Sequence, residues 1–170
     1  MNLYDYAMQM ENDAESLYKK LADKARTEGV RKIFLDLASD EQRHFQSLKA
    51  LKAGKQVSLA ECALLDDAKN VFARLLEEKT DLAGSQDDLE AYRHAMKLEA
   101  EAARHYREML AQEKDPTIQA LLVKIIAQEY DHFQIVENLF HFVDAPNQYL
   151  AWGEFSNLEE FYQFGRDVDL

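Results

Sequence analysis

Cysteine is nearly missing from these 170 residues. Cys62 stands alone, so the segment can form no intramolecular disulfide, no Cys-x-x-Cys knuckle and no four-cysteine iron centre of its own. Cys62 reads instead as a small buried residue. Proline and glycine are scarce, at two and five, which removes most of the signals that punctuate turn-rich β folds and suits a helical chain. Basic residues are outnumbered, 20 against 32 acidic, for a net charge of −12. That balance disfavours binding to nucleic acid or anionic membranes and suits a protein that handles cations. No run approaches the roughly 18 apolar residues of a membrane span, and the start, Met1-Asn2-Leu3-Tyr4-Asp5, has no basic stretch leading into an apolar one. The expectation is one soluble, cytoplasmic domain without nucleic-acid or membrane partners.

What is present is a constellation that occurs twice. Glu11 is followed seven residues later by Tyr18, and thirty residues after Glu11 comes the pair Glu41 and His44. Glu99, Tyr106, Glu129 and His132 repeat it at an offset of 88. These are the only two Glu-x-x-His pairs in the chain. Each segment carries apolar residues at alternating steps of four and three, the spacing of one helical face turned to a core. The seams run Ala7, Glu11, Ala14, Tyr18, Leu21, Ala25; Val30, Phe34, Leu37, Glu41, His44, Leu48, Leu51; Tyr92, Ala95, Glu99, Ala102, Tyr106, Met109; and Ile118, Leu122, Ile125, Glu129, His132, Val136, Leu139, Val143.

Four Glu side chains therefore point inward. Burying ionised carboxylates without partners costs far more than the roughly 5–15 kcal/mol that keeps a domain folded. Lys and Arg are absent from the middle of these seams. Proton sharing among clustered carboxylates is one remedy, and a polar network without metal is the alternative reading of the six residues. Two divalent cations are the more economical remedy, since their charge cancels that of four carboxylates while neutral imidazoles add nitrogen donors. A Glu from each of two helices and a Glu-x-x-His from each of the other two is the ligand inventory of di-iron carboxylate bundles. Spacing of i, i+3 puts the Glu and His of each pair on one helical face.

The pattern predicts helices over residues 3–27, ending near Gly29, and 30–53, ending at Gly54, then a partly helical connection over 55–84. Further helices follow over 86–113 and, after the Asp115-Pro116 start signal, to about residue 143. The fold class is all-α: a four-helix bundle of two duplicated hairpins, residues 1–143, with a long crossover. Residues 144–170 form an aromatic-rich extension with Tyr149, Trp152, Phe155, Phe161, Tyr162 and Phe164 and a short helix starting at Ser156-Asn157. It is expected to pack on the bundle or on a partner subunit.

On the stretches Glu11-Asn12-Asp13-Ala14-Glu15-Ser16-Leu17-Tyr18, Asp40-Glu41-Gln42-Arg43-His44 and Gln128-Glu129-Tyr130-Asp131-His132, the chain resembles the rubrerythrin branch of the ferritin-like superfamily over about residues 1–143. The resemblance implies a non-haem di-iron site with Glu41 and Glu129 bridging, Glu11 and Glu99 as terminal ligands, and His44 and His132 as nitrogen ligands. Tyr18 and Tyr106 would hydrogen-bond to the ligating carboxylates. It implies reduction of hydrogen peroxide or dioxygen, with electrons from an external rubredoxin-like or flavoprotein donor, and a homodimer. Iron is favoured by the carboxylate-rich donor set, with manganese or zinc as substitutes.

The chain departs from the family in two places. Peroxide-reducing rubrerythrins carry an extra Glu three residues after the third-helix ligand, where this chain has Ala102, and Ala14 at the matching first-half position; Glu15 and Glu101 fall on other helical positions. A rubredoxin-type domain is also absent from these residues. Two other functions therefore stay open: iron storage or delivery with ferroxidase activity, and a helical interaction protein stapled by a structural metal. His94, His105 and His141 lack a Glu three residues earlier and read as surface or packing residues.

Overall fold

The computed structural model describes residues 2–60, 63–78 and 85–144. Among them are five helices and no strand: α1 (Leu3–Lys24), α2 (Glu28–Lys52), α3 (Leu64–Glu77), α4 (Gln86–Gln112) and α5 (Pro116–Asp144). The described structure is all-helical, with its helix pairs packed as in a bundle. Cys62 and the aromatic extension beyond residue 144, including its expected helix, lie outside the described residues.

Four of the five helices, all but α3, start where a side chain can satisfy the free N–H groups of the first turn. Asn2 Oδ1 accepts from the Asp5 N–H at 2.8 Å, and Thr27 Oγ1 from the Val30 N–H at 3.2 Å. Ser85 and Asp88 form a reciprocal capping box on α4. Asp115 Oδ1 accepts from the Thr117 N–H at 2.8 Å, with Pro116 opening α5 as its sequence predicts. The helix ends follow known chemistry as well. Gly54 adopts φ 69°, and the bonds from Gly54 N to Leu51 O and from Lys55 N to Ala50 O close α2 in a Schellman motif.

One boundary differs from the sequence expectation. α1 stops at Lys24, three residues short of the expected end, because Ala25 turns to an extended conformation and Thr27 caps the next helix. Gly29 does not terminate α1; it lies in the first turn of α2. Its small size serves packing, since a Cβ there would sit 2.8 Å from Val71 Cγ1 on α3.

α1 packs chiefly on α2 and α4 chiefly on α5, forming two hairpins that meet through α1 and α4. α3, within the crossover, packs on α2 and α5. The four seams face inward, and their residues are buried except for the partly exposed ends Ala25, Leu51 and Ile118. Apolar core residues fall into two clusters. One contains Tyr18, Leu21, Phe34, Leu37, Ala95, Val136 and Leu139. The other contains Ala7, Leu48, Ala102, Tyr106, Met109, Leu122 and Ile125. In every one of the four long helices the polar seam residues fall between the segments that feed these two clusters.

Gly29→Ala should destabilise the protein by about 1–2 kcal/mol, since a β-branched, buried Val71 has little room to yield. In a Val71→Ala background the same substitution should be neutral or stabilising. Denaturant unfolding of the two single variants and the double variant measures this coupling, and additive effects would refute close packing at this point.

Candidate metal centre

At matching heights in the four long helices stand Glu11, Glu41 with His44, Glu99, and Glu129 with His132. None is more than 1% exposed, so water cannot solvate their charges. All six predicted ligand residues are brought together. Glu11, Glu41, His44 and Glu129 offer one donor atom each within 4.8 Å of one another, and Glu41, Glu99, Glu129 and His132 do the same. The two sets overlap in Glu41 and Glu129, the carboxylates assigned as bridges.

The two halves are interlocked. His44 Nδ1 lies 2.8 Å from Glu129 Oε1, and His132 Nδ1 lies 2.8 Å from Glu41 Oε1, so each imidazole faces the carboxylate of the other hairpin. The two rings stack at 5.6 Å between centroids. Tyr18 donates its hydroxyl hydrogen to Glu99, and Tyr106 donates to Glu11, again across the halves. The tyrosines thus occupy the predicted positions outside the ligand set. Burial, and then the carboxylates nearby, hold both phenols well above the ordinary tyrosine range, so they remain hydrogen-bond donors.

Most of the buried side-chain atoms without a hydrogen-bond partner belong to this cluster. Glu11 Oε2, Glu41 Oε1, both Glu129 oxygens and both imidazole Nδ1 atoms are buried and unpartnered; the 2.8 Å His–Glu approaches have ion-pair distance without hydrogen-bond geometry. Unsatisfied buried donors and acceptors are costly and rare. Their convergence, four oxygens from three carboxylates and two nitrogens beside the carboxylate of Glu99, fits a pair of divalent cations.

The remaining imidazole nitrogens point outward to two residues that reading the seams did not assign. His132 Nε2 lies 3.3 Å from Asp40 Oδ2, and His44 Nε2 lies 2.8 Å from Gln128 Oε1. Asp40 and Gln128 each precede the Glu of a Glu-x-x-His pair and are themselves 88 residues apart. That repeat was the available signal. Outward Nε2–H bonds leave the Nδ1 lone pair free for a metal.

The other candidates separate cleanly from the cluster. His105 is buried and bonded to the Leu3 carbonyl, with its ring edge-on to Tyr6; His94 and His141 are exposed. Glu15 pairs with Lys19 and Glu101 with Lys97. Ala14 and Ala102 are buried beside Glu11 and Glu99.

A helical bundle with a buried, shared set of carboxylates and imidazoles defines a candidate dinuclear metal protein. The chain belongs to the rubrerythrin family, whose family model matches residues 2–140. No curated protein and no solved structure matches it.

Without metal the cluster holds protons. Burial raises Glu41, Glu99 raises it further and His132 opposes, leaving it at about 8. Burial and the charges of Glu11 and Glu41 put Glu129 well above the usual carboxylate range. For His44 and His132 burial acts downward, but the facing carboxylates, Glu129 and Glu41 first, outweigh it and hold both well above the usual imidazole range. Burial also acts upward on Glu11, yet the closeness of His44 and Glu41 and the bond from Tyr106 leave it below the usual range.

These shifts set a sign. Groups whose folded values are raised stabilise fully below their unfolded values and lose that contribution as pH climbs through the folded ones. The metal-free melting temperature should fall between about pH 5 and above pH 8, while stabilisation by added divalent cation should grow over the same interval as protons compete less. Thermal melts with and without cation check both trends; a flat metal-free profile would sever the cluster from stability.

Proposed function

We propose that this protein is a non-haem di-iron oxidoreductase that reduces hydrogen peroxide or dioxygen. The observation that carries this reading is the pair of donor sets sharing Glu41 and Glu129, within a chain of the rubrerythrin family. Two Fe²⁺ ions held there would supply together the two electrons needed to reduce an O–O bond.

The chain's own residues provide the setting. Glu41 and Glu129, one from each hairpin, would hold both ions; Glu11 and Glu99 would complete one half-site each, oriented by the hydroxyls of Tyr106 and Tyr18. His44 and His132 would present Nδ1, fixed by their outward bonds to Gln128 and Asp40. Apolar clusters on both sides exclude bulk water, which strengthens every charge interaction between them. Manganese or zinc would fit the same donors with different chemistry.

An external donor of rubredoxin-like or flavoprotein type must return the electrons, because the only thiol in these residues is Cys62. A cytoplasmic setting and a homodimer belong to the same proposal. Among the described residues no helix is long and apolar enough to cross a membrane. Buried Ala102, at the position where peroxide-reducing rubrerythrins carry an extra Glu, favours a second reading, a ferroxidase that stores or delivers iron.

Anaerobic Fe²⁺ loading followed by metal analysis, peroxide addition and a supplied reductant separates the readings. The first expects two irons per chain and sustained turnover, with a near-ultraviolet absorption that forms and bleaches reversibly. The second expects iron to accumulate well beyond two per chain. Glu41→Ala should abolish two-metal occupancy; retention of both ions would falsify its assignment as a bridge.

A further inference from the structure

The cluster follows the offset of 88 in its four carboxylates, two imidazoles and two phenols, but the residues behind the imidazoles break it chemically. His132 is backed by a carboxylate, Asp40, and His44 by a carboxamide, Gln128. We propose that Asp40 makes the two half-sites unequal, so that Glu41, Glu99, Glu129 and His132 bind a divalent cation more tightly than Glu11, Glu41, His44 and Glu129. The inference rests on the dinuclear reading above and deepens it.

Gln128 is oriented by its second contact. Its Nε2 donates to the Ala60 carbonyl at 3.3 Å, which leaves Oε1 to accept from His44. That acceptor is neutral and can do no more than orient the ring. Asp40 orients its ring and also adds negative charge behind it, which makes Nδ1 a stronger donor and attracts the cation directly. The shorter 2.8 Å contact belongs to Gln128 and the 3.3 Å contact to Asp40, so bond length alone would rank the two sites the other way. Charge decides the ranking, because Coulomb attraction falls only as the inverse of distance and a buried group is weakly screened.

The other oxygen of Asp40 is also engaged. Arg43 donates to it and offsets part of its charge, and the carboxylate is still a stronger acceptor for His132 than the Gln128 carboxamide is for His44. Lys32, Asp36, Arg43 and Asp67 line the cavity of about 280 Å³ that reaches Asp40. Asp40 is thus a positioning residue that sets the order in which the two half-sites fill.

The test is an anaerobic Co²⁺ titration of the whole protein in competition with a chelator. The two stepwise constants should differ by about 10–100-fold, the usual reach of groups that orient metal-bound histidines. Asp40→Asn should narrow that gap by weakening the tighter step. Gln128→Glu should narrow it by tightening the weaker one, and it decides the matter if Asp40→Asn fails to fold. Proton NMR gives an independent signature: at one equivalent, one hyperfine-shifted imidazole N–H should appear in the parent and two of equal intensity in a variant with equal sites. Two ions bound in the statistical ratio of identical sites, or a gap unmoved by a folded variant, overturns this proposal and leaves the dinuclear reading standing. Failure of the parent protein to bind two ions sinks both.

Discussion

Placing four carboxylates and two imidazoles in the middle of a core is the constraint on which the rest of the structure depends. The cost of desolvating so many ionisable groups exceeds what the flanking apolar clusters can offset unless the groups neutralise one another, through protons or through cations. Neutralisation requires that they meet. Each long helix must therefore hold its register to within a fraction of a turn, because a slip of four residues would put a Glu among leucines and an alanine among carboxylates.

The neighbouring residues serve this requirement. Ala7 and Ala14 flank Glu11, and Ala95 and Ala102 flank Glu99, all buried where α1 and α4 meet. Small side chains there let the two hairpins approach closely enough for each tyrosine hydroxyl to reach across. Gly29 plays a similar part at the edge, where α3 covers α2. Close backbone approach and polar satisfaction are thus two aspects of the same packing solution.

Much of this was legible from residue spacing because a helix maps sequence intervals onto faces directly. Glu11, Glu41, His44, Glu99, Glu129 and His132 sit on apolar seams, so their inward direction and common neighbourhood follow from periodicity. The start of α5 at Asp115-Pro116 and the close of α2 at Gly54 follow from backbone chemistry that those residues dictate locally. Gly29 misled because an isolated glycine looks the same whether it ends a helix or makes room for a neighbour, and Val71 is 42 positions away. Asp40 and Gln128 lie just off the seam, and only the crossing of the hairpins brings each to the histidine of the other half. Their role is a tertiary fact, announced in the sequence by nothing more than the repeated interval.

The reciprocal tyrosine and histidine contacts have a consequence for how such a chain arises. Every one of them joins an atom of the first hairpin to an atom of the second, in the mutual pattern of a two-fold interface between identical partners. A lone ancestral hairpin pairing with its own copy would have met the same demands, with both copies bound to carry the same residue everywhere. Within one polypeptide that obligation does not hold. Positions 40 and 128 are free to differ, an asymmetry that a self-paired hairpin could not encode.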